Sequence, residues 1–127
     1  GVSTNREIKI NHYKNQAKAL ANAIVQENGP QAKVVFMQSG GLDYAKYYGE
    51  SRPTYYGTSY ASAKLIKEAY SRAVKELNEE GIKAYQVPDL PCDLKGLYVH
   101  PMVEGEGGHK DIAERLVTFL KENVINN

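Results

Sequence analysis

The chain has 127 residues, 42% of them apolar and 24% charged, which is typical of one globular domain and unlike a disordered or fibrous chain. Its 16 Lys and Arg residues nearly balance its 15 Asp and Glu residues, so the net charge of +1 gives no support for a nucleic-acid partner. No apolar run approaches the roughly 18 residues of a membrane span. The single cysteine, Cys92, excludes an internal disulfide and a cysteine-rich metal site.

The first part of the chain predicts a strand, a helix and a second strand. Residues 7–11 alternate polar and β-branched apolar side chains, which is the pattern of a short strand. Residues 14–26 carry apolar side chains at helical spacing, and Asn28-Gly29-Pro30 then predicts the end of a helix. Residues 33–37 form a continuous apolar run, as in a parallel strand that is buried on both faces.

A long loop and further alternating elements follow. Residues 38–58 show no sustained period and predict a loop. Residues 59–80 predict an amphipathic helix, and residues 82–87 another strand. Residues 97–99 predict a short strand, and residues 110–124 a last helix with one apolar face.

Strands that alternate with helices predict parallel βαβ units. We therefore expect a single α/β domain over residues 1–127, built as three α/β/α layers around a mostly parallel sheet of about four to five strands. In such sheets, binding sites form beyond the carboxyl ends of the strands. Asn11, Gln38, Asp89 and His100 follow predicted strands and are expected at that edge.

The residue types at this edge suit nucleophilic hydrolysis. A serine hydrolase needs a Ser hydroxyl, an imidazole that takes its proton, a group that orients the imidazole, and donors for the oxyanion. His12, His100 and His109 are the candidate bases. His100 is favoured because it follows a predicted strand and precedes Pro101, in a loop that leads to the last helix. A surface or helix-capping histidine is the alternative interpretation of His100, and it is the simpler interpretation of His109 and His12.

Two segments resemble the SGNH (GDSL-like) esterases. Residues 99–116 carry an H-P pair, His100-Pro101, then a G-H pair, Gly108-His109, then a helix of the I-A-x-x-L type, as in the last conserved block of that family. Residues 37–43, Met-Gln-Ser-Gly-Gly-Leu-Asp, are similar to the turn in the family's third block that supplies an oxyanion donor. The resemblance covers about residues 30–125 and implies an SGNH-like or flavodoxin-like sheet.

The resemblance implies a role for each matching residue. His100 would be the general base, and the backbone at Gly40 and Gly41 would lie near the oxyanion, with Gln38 in place of the family's usual Asn. Asn11 loosely matches the turn of the second block, and His109 belongs to the G-H pair on the substrate side.

The group that orients the imidazole departs from the family pattern. The family places Asp three residues before the catalytic His, and Leu97 occupies that position here. Asp93, Asp89 or a backbone carbonyl would therefore have to orient the ring.

The nucleophile is the largest departure. Gly1-Val2-Ser3-Thr4 has Gly and Ser at the family's spacing but Val in place of Asp, so Ser3 is one candidate, and a strand supplied by another chain is the alternative. Ser39 is a second candidate, since Gln38-Ser39-Gly40-Gly41 after a buried strand resembles the nucleophile turn of the α/β-hydrolases. In that arrangement Asp89 or Asp93 and then His109 would complete the triad.

One short stretch holds six of the chain's ten tyrosines: Tyr44, Tyr47, Tyr48, Tyr55, Tyr56 and Tyr60. Tyr44 and its neighbours could wall the site, because tyrosine rings stack on sugars and aromatic acyl groups; packing on the domain surface or on a partner chain is the simpler interpretation.

The sequence thus predicts a serine-type hydrolase of a small acyl or acetyl ester, with a carbohydrate-linked ester among the candidate substrates. No cofactor and no metal is expected. A second chain or a homo-oligomer is compatible with the incomplete nucleophile block at residues 1–4. The alternative is a non-catalytic, flavodoxin-like domain that binds a small ligand or a protein. The sequence leaves the cellular compartment open.

Overall fold

The structure, a computed structural model, describes residues 2–38, 60–90 and 108–126. In chain order its elements are α1 (Val2–Asn28), β1 (Lys33–Phe36), α2 (Tyr60–Glu79), β2 (Lys83–Gln86), α3 (His109–Phe119) and a π-helical segment (Leu120–Ile125). Within the described ranges the chain is mostly helical, and its one sheet has two parallel strands. The expected three-layer α/β/α fold of SGNH-like or flavodoxin-like type, with four to five strands, is therefore wrong.

Several individual elements are confirmed. The predicted strands over residues 33–37 and 82–87 correspond to β1 and β2, and the helix over residues 59–80 corresponds to α2. The last predicted helix is present as α3 and the π-helical segment. The short strand predicted for residues 97–99, and the predicted loop beyond Gln38, lie outside the described residues.

The strand predicted for residues 7–11 is wrong, because this segment belongs to α1. Ile10 is fully buried, whereas Ile8 is 61% exposed. Ile10 lies seven residues before Ala17, which places both side chains on one stripe of a helix. The alternation covers only five residues, whereas the helical pattern continues along the segment, which contains no Gly or Pro before Gly29.

The chain divides into two compact units. The first combines Gly1–Met37 with Lys64–Gln86, and the second combines Gln38–Ala63 with Val87–Asn127. Among the described helices, none is long and apolar enough to cross a membrane.

In the first unit, α1 and α2 pack on one face of the sheet. Val34 and Phe36 alternate along β1 and are buried, and Ala84, the partner of Val34 in β2, is buried beside them. The core also contains small or apolar helix residues: Ala17, Ala21, Ala73 and Leu77. A second cluster joins Ile10 of α1 to two α2 residues, Leu65 and Ala69. Alanines let two helices approach closely while both contact the strands.

Ion pairs show that α1 and α2 run in the same direction. Glu7 pairs with Arg72 at 2.8 Å, and eleven residues further along α1, Lys18 pairs with Glu80 at 2.6 Å. Between them, Lys14 pairs with Glu76 at 2.8 Å. Both helices therefore run parallel to each other, as expected for helices that each lead into one of two parallel strands.

The ion pairs shift the pKa values of their members. Hydrogen bonds from Lys14 and Lys18 hold the pKa of Glu76 below its usual 4.5, although partial burial opposes this shift. A hydrogen bond from Arg72 likewise lowers the pKa of Glu7. Hydrogen bonds to Glu80 and Glu76 raise the pKa of Lys18.

A glycine turn ends α2 and directs the chain into β2. Gly81 has a φ of +89°, a conformation that glycine adopts without the steric penalty of other residues. Its N–H donates to the Asn78 carbonyl at 3.1 Å, and the Ile82 N–H donates to the Leu77 carbonyl at 2.9 Å. These two bonds form a Schellman motif, and Ile82 packs against the core that contains Leu77.

Truncation of Leu77 should test this core. Leu77 is fully buried, so Leu77→Ala should lower the free energy of unfolding by about 3 kcal/mol through lost burial and a residual cavity. Leu20 on α1 is 59% exposed, so Leu20→Ala is the matched control and should cost under about 1 kcal/mol. Urea unfolding followed by circular dichroism measures both; equal losses would contradict the assigned core.

Neutralisation of Glu76 should test the ion pairs between α1 and α2. Because the pKa of Glu76 is lowered in the fold, its contribution to stability is present above pH 4.5 and is lost as the pH falls through the folded-state pKa. Glu76→Gln should therefore lower the free energy of unfolding by about 0.5–1 kcal/mol at neutral pH. The effect is small because the ion pairs of Glu76 are partly exposed to solvent and screened by salt. The difference from the unmodified protein should vanish by about pH 3.

Glu79→Gln is the control for this prediction, since Glu79 has only a weak contact with Lys75 at 4.0 Å between two exposed side chains. A pH-independent loss in Glu76→Gln, or an equal loss in Glu79→Gln, would contradict the proposed electrostatic contribution.

Candidate functional site

The carboxyl ends of β1 and β2 lie side by side. Phe36 at the end of β1 pairs with Gln86 at the end of β2, so the residues that follow both strands leave the sheet at one edge. In parallel sheets this edge is where ligand sites form. Gln38 and Asp89, which the sequence places at such an edge, follow these two strands in the structure.

In the second unit, Gln38 is held by a hydrogen bond to the beginning of α2. Its Nε2 donates to the carbonyl oxygen of Ala63 at 3.0 Å, and Ala63 is buried. The bond joins the Gln38 carboxamide to the first turn of α2. This bond uses one of the two amide protons of Gln38, so the second proton could donate to an oxyanion.

The second unit also contains an open groove of about 720 Å³ between residues 88–90 and one flank of α3 and the π-helical segment. Its charged lining side chains are mainly acidic: Asp89, Asp111, Glu114 and Glu122, with Arg115 as the cation. Arg115 Nε donates to Asp111 Oδ2 at 2.9 Å across one helical turn. In the described part of the chain, this lining includes neither serine nor histidine.

Gly108 and His109 form the beginning of α3. Gly108 is buried and extended, and its carbonyl accepts the Ile112 N–H at 2.9 Å. His109 is the first helical residue and is exposed. Asp111 in the first turn places a negative charge near the positive end of the helix dipole. The G-H pair thus serves as a helix start.

The expected role of Asn11 at a strand end is wrong. Asn11 lies within α1 and is exposed, because the predicted strand before it is helical. His12, the weakest of the candidate bases, is likewise an exposed residue of α1, and its ring meets Tyr13 edge to face at 5.5 Å between centroids. Ser3 belongs to the first turn of α1.

Most of the remaining candidates lie outside the described residues: Ser39, Gly40, Gly41, Tyr44, Asp93 and His100. The nucleophile, acid and base of the predicted triad therefore remain sequence predictions. Within the ranges that the structure describes, no group of three His, Cys, Asp or Glu side chains could hold a metal ion.

Sequence reasoning did not identify the groove beside α3. Its one visible signal is the spacing of Asp111 and Arg115, four residues apart, which predicts an ion pair on a helix. The position of residues 88–90 against that helix depends on tertiary packing and has no sequence signature.

Removal of the Gln38 carboxamide should destabilise the beginning of α2. Gln38→Ala should lower the free energy of unfolding by about 1 kcal/mol, because the half-buried bond to Ala63 is lost. Gln26→Ala, at an exposed position of α1, is the control and should change it by less than about 0.5 kcal/mol. Thermal and urea unfolding measure both, and similar values for the two variants would show that the bond between Gln38 and Ala63 does not contribute to stability.

Comparison of the chain with protein-family models, with curated protein sequences and with solved structures finds no match in any of the three.

Proposed function

We propose that this protein is a serine-type ester hydrolase that acts on a small acyl or acetyl ester, with His100 as the general base. The proposal rests on the H-P pair His100-Pro101 followed by Gly108-His109 and the helix after them, a block that resembles the last conserved block of the SGNH esterases. The structure supports one part of this reading, since α3 begins at His109 as the pattern requires.

The order of the residues after the two parallel strands also supports the proposal. Ser39, Gly40 and Gly41 follow Gln38 directly in sequence, and Gln38 follows the carboxyl end of β1. Asp89 follows the end of β2, beside it. A nucleophile and oxyanion donors after one strand and an acidic group after its neighbour are the arrangement that acyl transfer needs at a sheet edge.

Ser3 remains the second candidate nucleophile. Ion pairs and the contact of Ile10 with Leu65 show that α1 and α2 are parallel, so α1 begins at the end of the helix pair nearest the carboxyl ends of the strands. The backbone of Ser3, in the first turn of α1, therefore belongs to the same end of the first unit as Phe36 and Gln86.

In the proposed reaction, the hydroxyl oxygen of the serine attacks the ester carbonyl while His100 takes the hydroxyl proton. Backbone donors near Gly40 and Gly41, with Gln38, stabilise the oxyanion. His100 then returns the proton to the leaving alcohol, and water repeats the two steps to release the acid. Asp93 is the proposed partner that orients the imidazole, and Tyr44 and its neighbours would contact the acyl or sugar group.

Hydrolysis of a chromogenic acetyl ester tests the proposal, on protein that includes any residues encoded before Gly1. His100→Ala should lower kcat/KM by at least about a hundredfold, because a general base contributes that much or more. His12→Ala is the matched control, since His12 is exposed on α1 and should have no effect. Ser3→Ala and Ser39→Ala should separate the two nucleophiles, with one inactive and the other near normal.

Two results would refute the hydrolase: no turnover above the uncatalysed rate, or equal activity in His100→Ala and His12→Ala. In the first case a non-catalytic binding domain becomes the better description, and the groove beside α3 is the first place to seek its ligand.

A further inference from the structure

The sequence contains a single Asn-Gly pair, Asn28-Gly29, and the structure places it at the end of α1. Asn28 is the last residue of the helix and is exposed to solvent. Because glycine has no Cβ, the backbone nitrogen that follows Asn28 is less hindered than it would be before any other residue. That nitrogen is one bond length of side chain away from the reaction that asparagine undergoes most readily, attack on its own carboxamide carbon.

This reaction is deamidation. The nitrogen of Gly29 gives up its proton and forms a bond to the carboxamide carbon of Asn28. The bond from that carbon to the side-chain NH₂ group breaks, and the NH₂ group takes up a proton and leaves as ammonia. The product is a cyclic succinimide. Water, the only other reactant, then opens the ring at either carbonyl and leaves aspartate or isoaspartate at position 28.

Hydrogen bonds in the fold hold both reacting groups. The Gly29 N–H donates to the Val25 carbonyl at 2.7 Å, in the same four-residue spacing as the helix before it. The Asn28 Nδ2 donates to the Ile24 carbonyl at 2.9 Å. For the attack, the Gly29 nitrogen must leave its acceptor and turn toward the Asn28 side chain, so the last turn of α1 has to open first. Helix ends open at a much lower free energy than packed helix interiors.

Asn22 provides an internal reference in the same helix. Its Nδ2 donates to the Lys18 carbonyl at 2.9 Å, which is the same side-chain bond that Asn28 makes. Asn22 is also exposed, but Ala23 follows it and the helix continues on both sides. The two asparagines therefore differ in the residue that follows and in their distance from the helix end.

We propose that Asn28 is a modification site that deamidates through a succinimide with Gly29, at a rate set by the opening of the last turn of α1. The inference does not depend on the proposed hydrolase, since it concerns the end of α1 alone.

The product alters the connection between α1 and β1. A carboxylate at position 28 cannot donate to the Ile24 carbonyl, and its charge lies at the negative end of the helix dipole. Isoaspartate also adds a carbon to the backbone just before a turn in which the Ala32 N–H donates to the Gly29 carbonyl at 3.1 Å. β1 begins at the next residue, Lys33. Deamidation therefore weakens the helix end and the turn that leads into the sheet.

Peptide mapping by mass spectrometry tests the proposal on the full chain, kept in mildly alkaline buffer because the Gly29 nitrogen must lose a proton. The conversion of amide to acid is followed with time at Asn28 and at Asn22, in the folded chain and in urea. In the folded chain, Asn28 should react about tenfold or more faster than Asn22. Urea should speed the reaction of Asn28 about fivefold or more, because both hydrogen bonds of the last turn are lost.

Two glycine substitutions show whether the last turn sets the rate. Gln26→Gly lowers the helix propensity of that turn and should speed deamidation of Asn28 about threefold in the folded chain. Asn15→Gly is the matched control, because Asn15 is also exposed on α1 but lies about three turns earlier, and it should leave the rate unchanged. Gly29 is kept in every variant, since its φ of +97° would strain any other residue. Circular dichroism confirms that each variant is folded.

Three results would overturn the proposal. The first is no modification of Asn28 in the folded chain over a period that fully converts the chain in urea. The second is an equal rate at Asn28 and Asn22. The third is an Asn28 rate that is the same in the folded chain as in urea, or the same in Gln26→Gly as in Asn15→Gly, since the last turn of α1 would then not control the reaction.

Discussion

The close packing of two parallel helices on a two-stranded sheet is the constraint on which the first unit depends. Two strands alone are at best marginally stable in water and need a helix or further strands packed against them. In the described part of the chain, their buried side chains, Val34, Phe36 and Ala84, are covered by residues of α1 and α2. Alanines at the helix contact make this possible, since a larger side chain at Ala21 or Ala73, both fully buried, would push the helices apart.

Other features of the first unit agree with this packing. The Schellman turn at Gly81 brings the chain from α2 into β2, and Gly29, with a φ of +97°, has the same position between α1 and β1. Both helices therefore end at the same end of the sheet. The ion pairs between them follow the same order along both helices, from Glu7 with Arg72 to Lys18 with Glu80. These exposed pairs add little stability each, but an antiparallel arrangement would not satisfy them.

The sequence predicts local elements better than their assembly. The apolar runs of β1 and β2 and the amphipathic pattern of α2 are strong local signals, and each element is present. The strand expected at residues 7–11 is wrong because a five-residue window shows alternation while Ile10 follows the helical stripe of α1. The fold class is wrong because alternating elements predict a βαβ unit, but do not determine how many strands join its sheet.

The candidate site remains a prediction from the sequence, although the two strands that precede Gln38 and Asp89 are confirmed. Gln38 and Asp89 follow the carboxyl ends of two parallel strands in sequence, as the alternation of strands and helices indicated. Asn11 does not, because the strand predicted to end there is part of α1. The groove beside α3 depends on contacts between residues distant in sequence, which no single-sequence pattern encodes.

Carbodiimide cross-linking tests the parallel packing of α1 and α2 most directly, because this zero-length reagent joins amines and carboxylates that are in contact. Lys14 and Glu76 lie 2.8 Å apart, and Lys18 and Glu80 lie 2.6 Å apart, measured from Nζ to a carboxylate oxygen. Mass spectrometry of the digested monomer should therefore find both cross-links. A cross-link from Lys18 to Glu68 in place of Glu80 would indicate antiparallel helices and would contradict the packing on which the first unit depends.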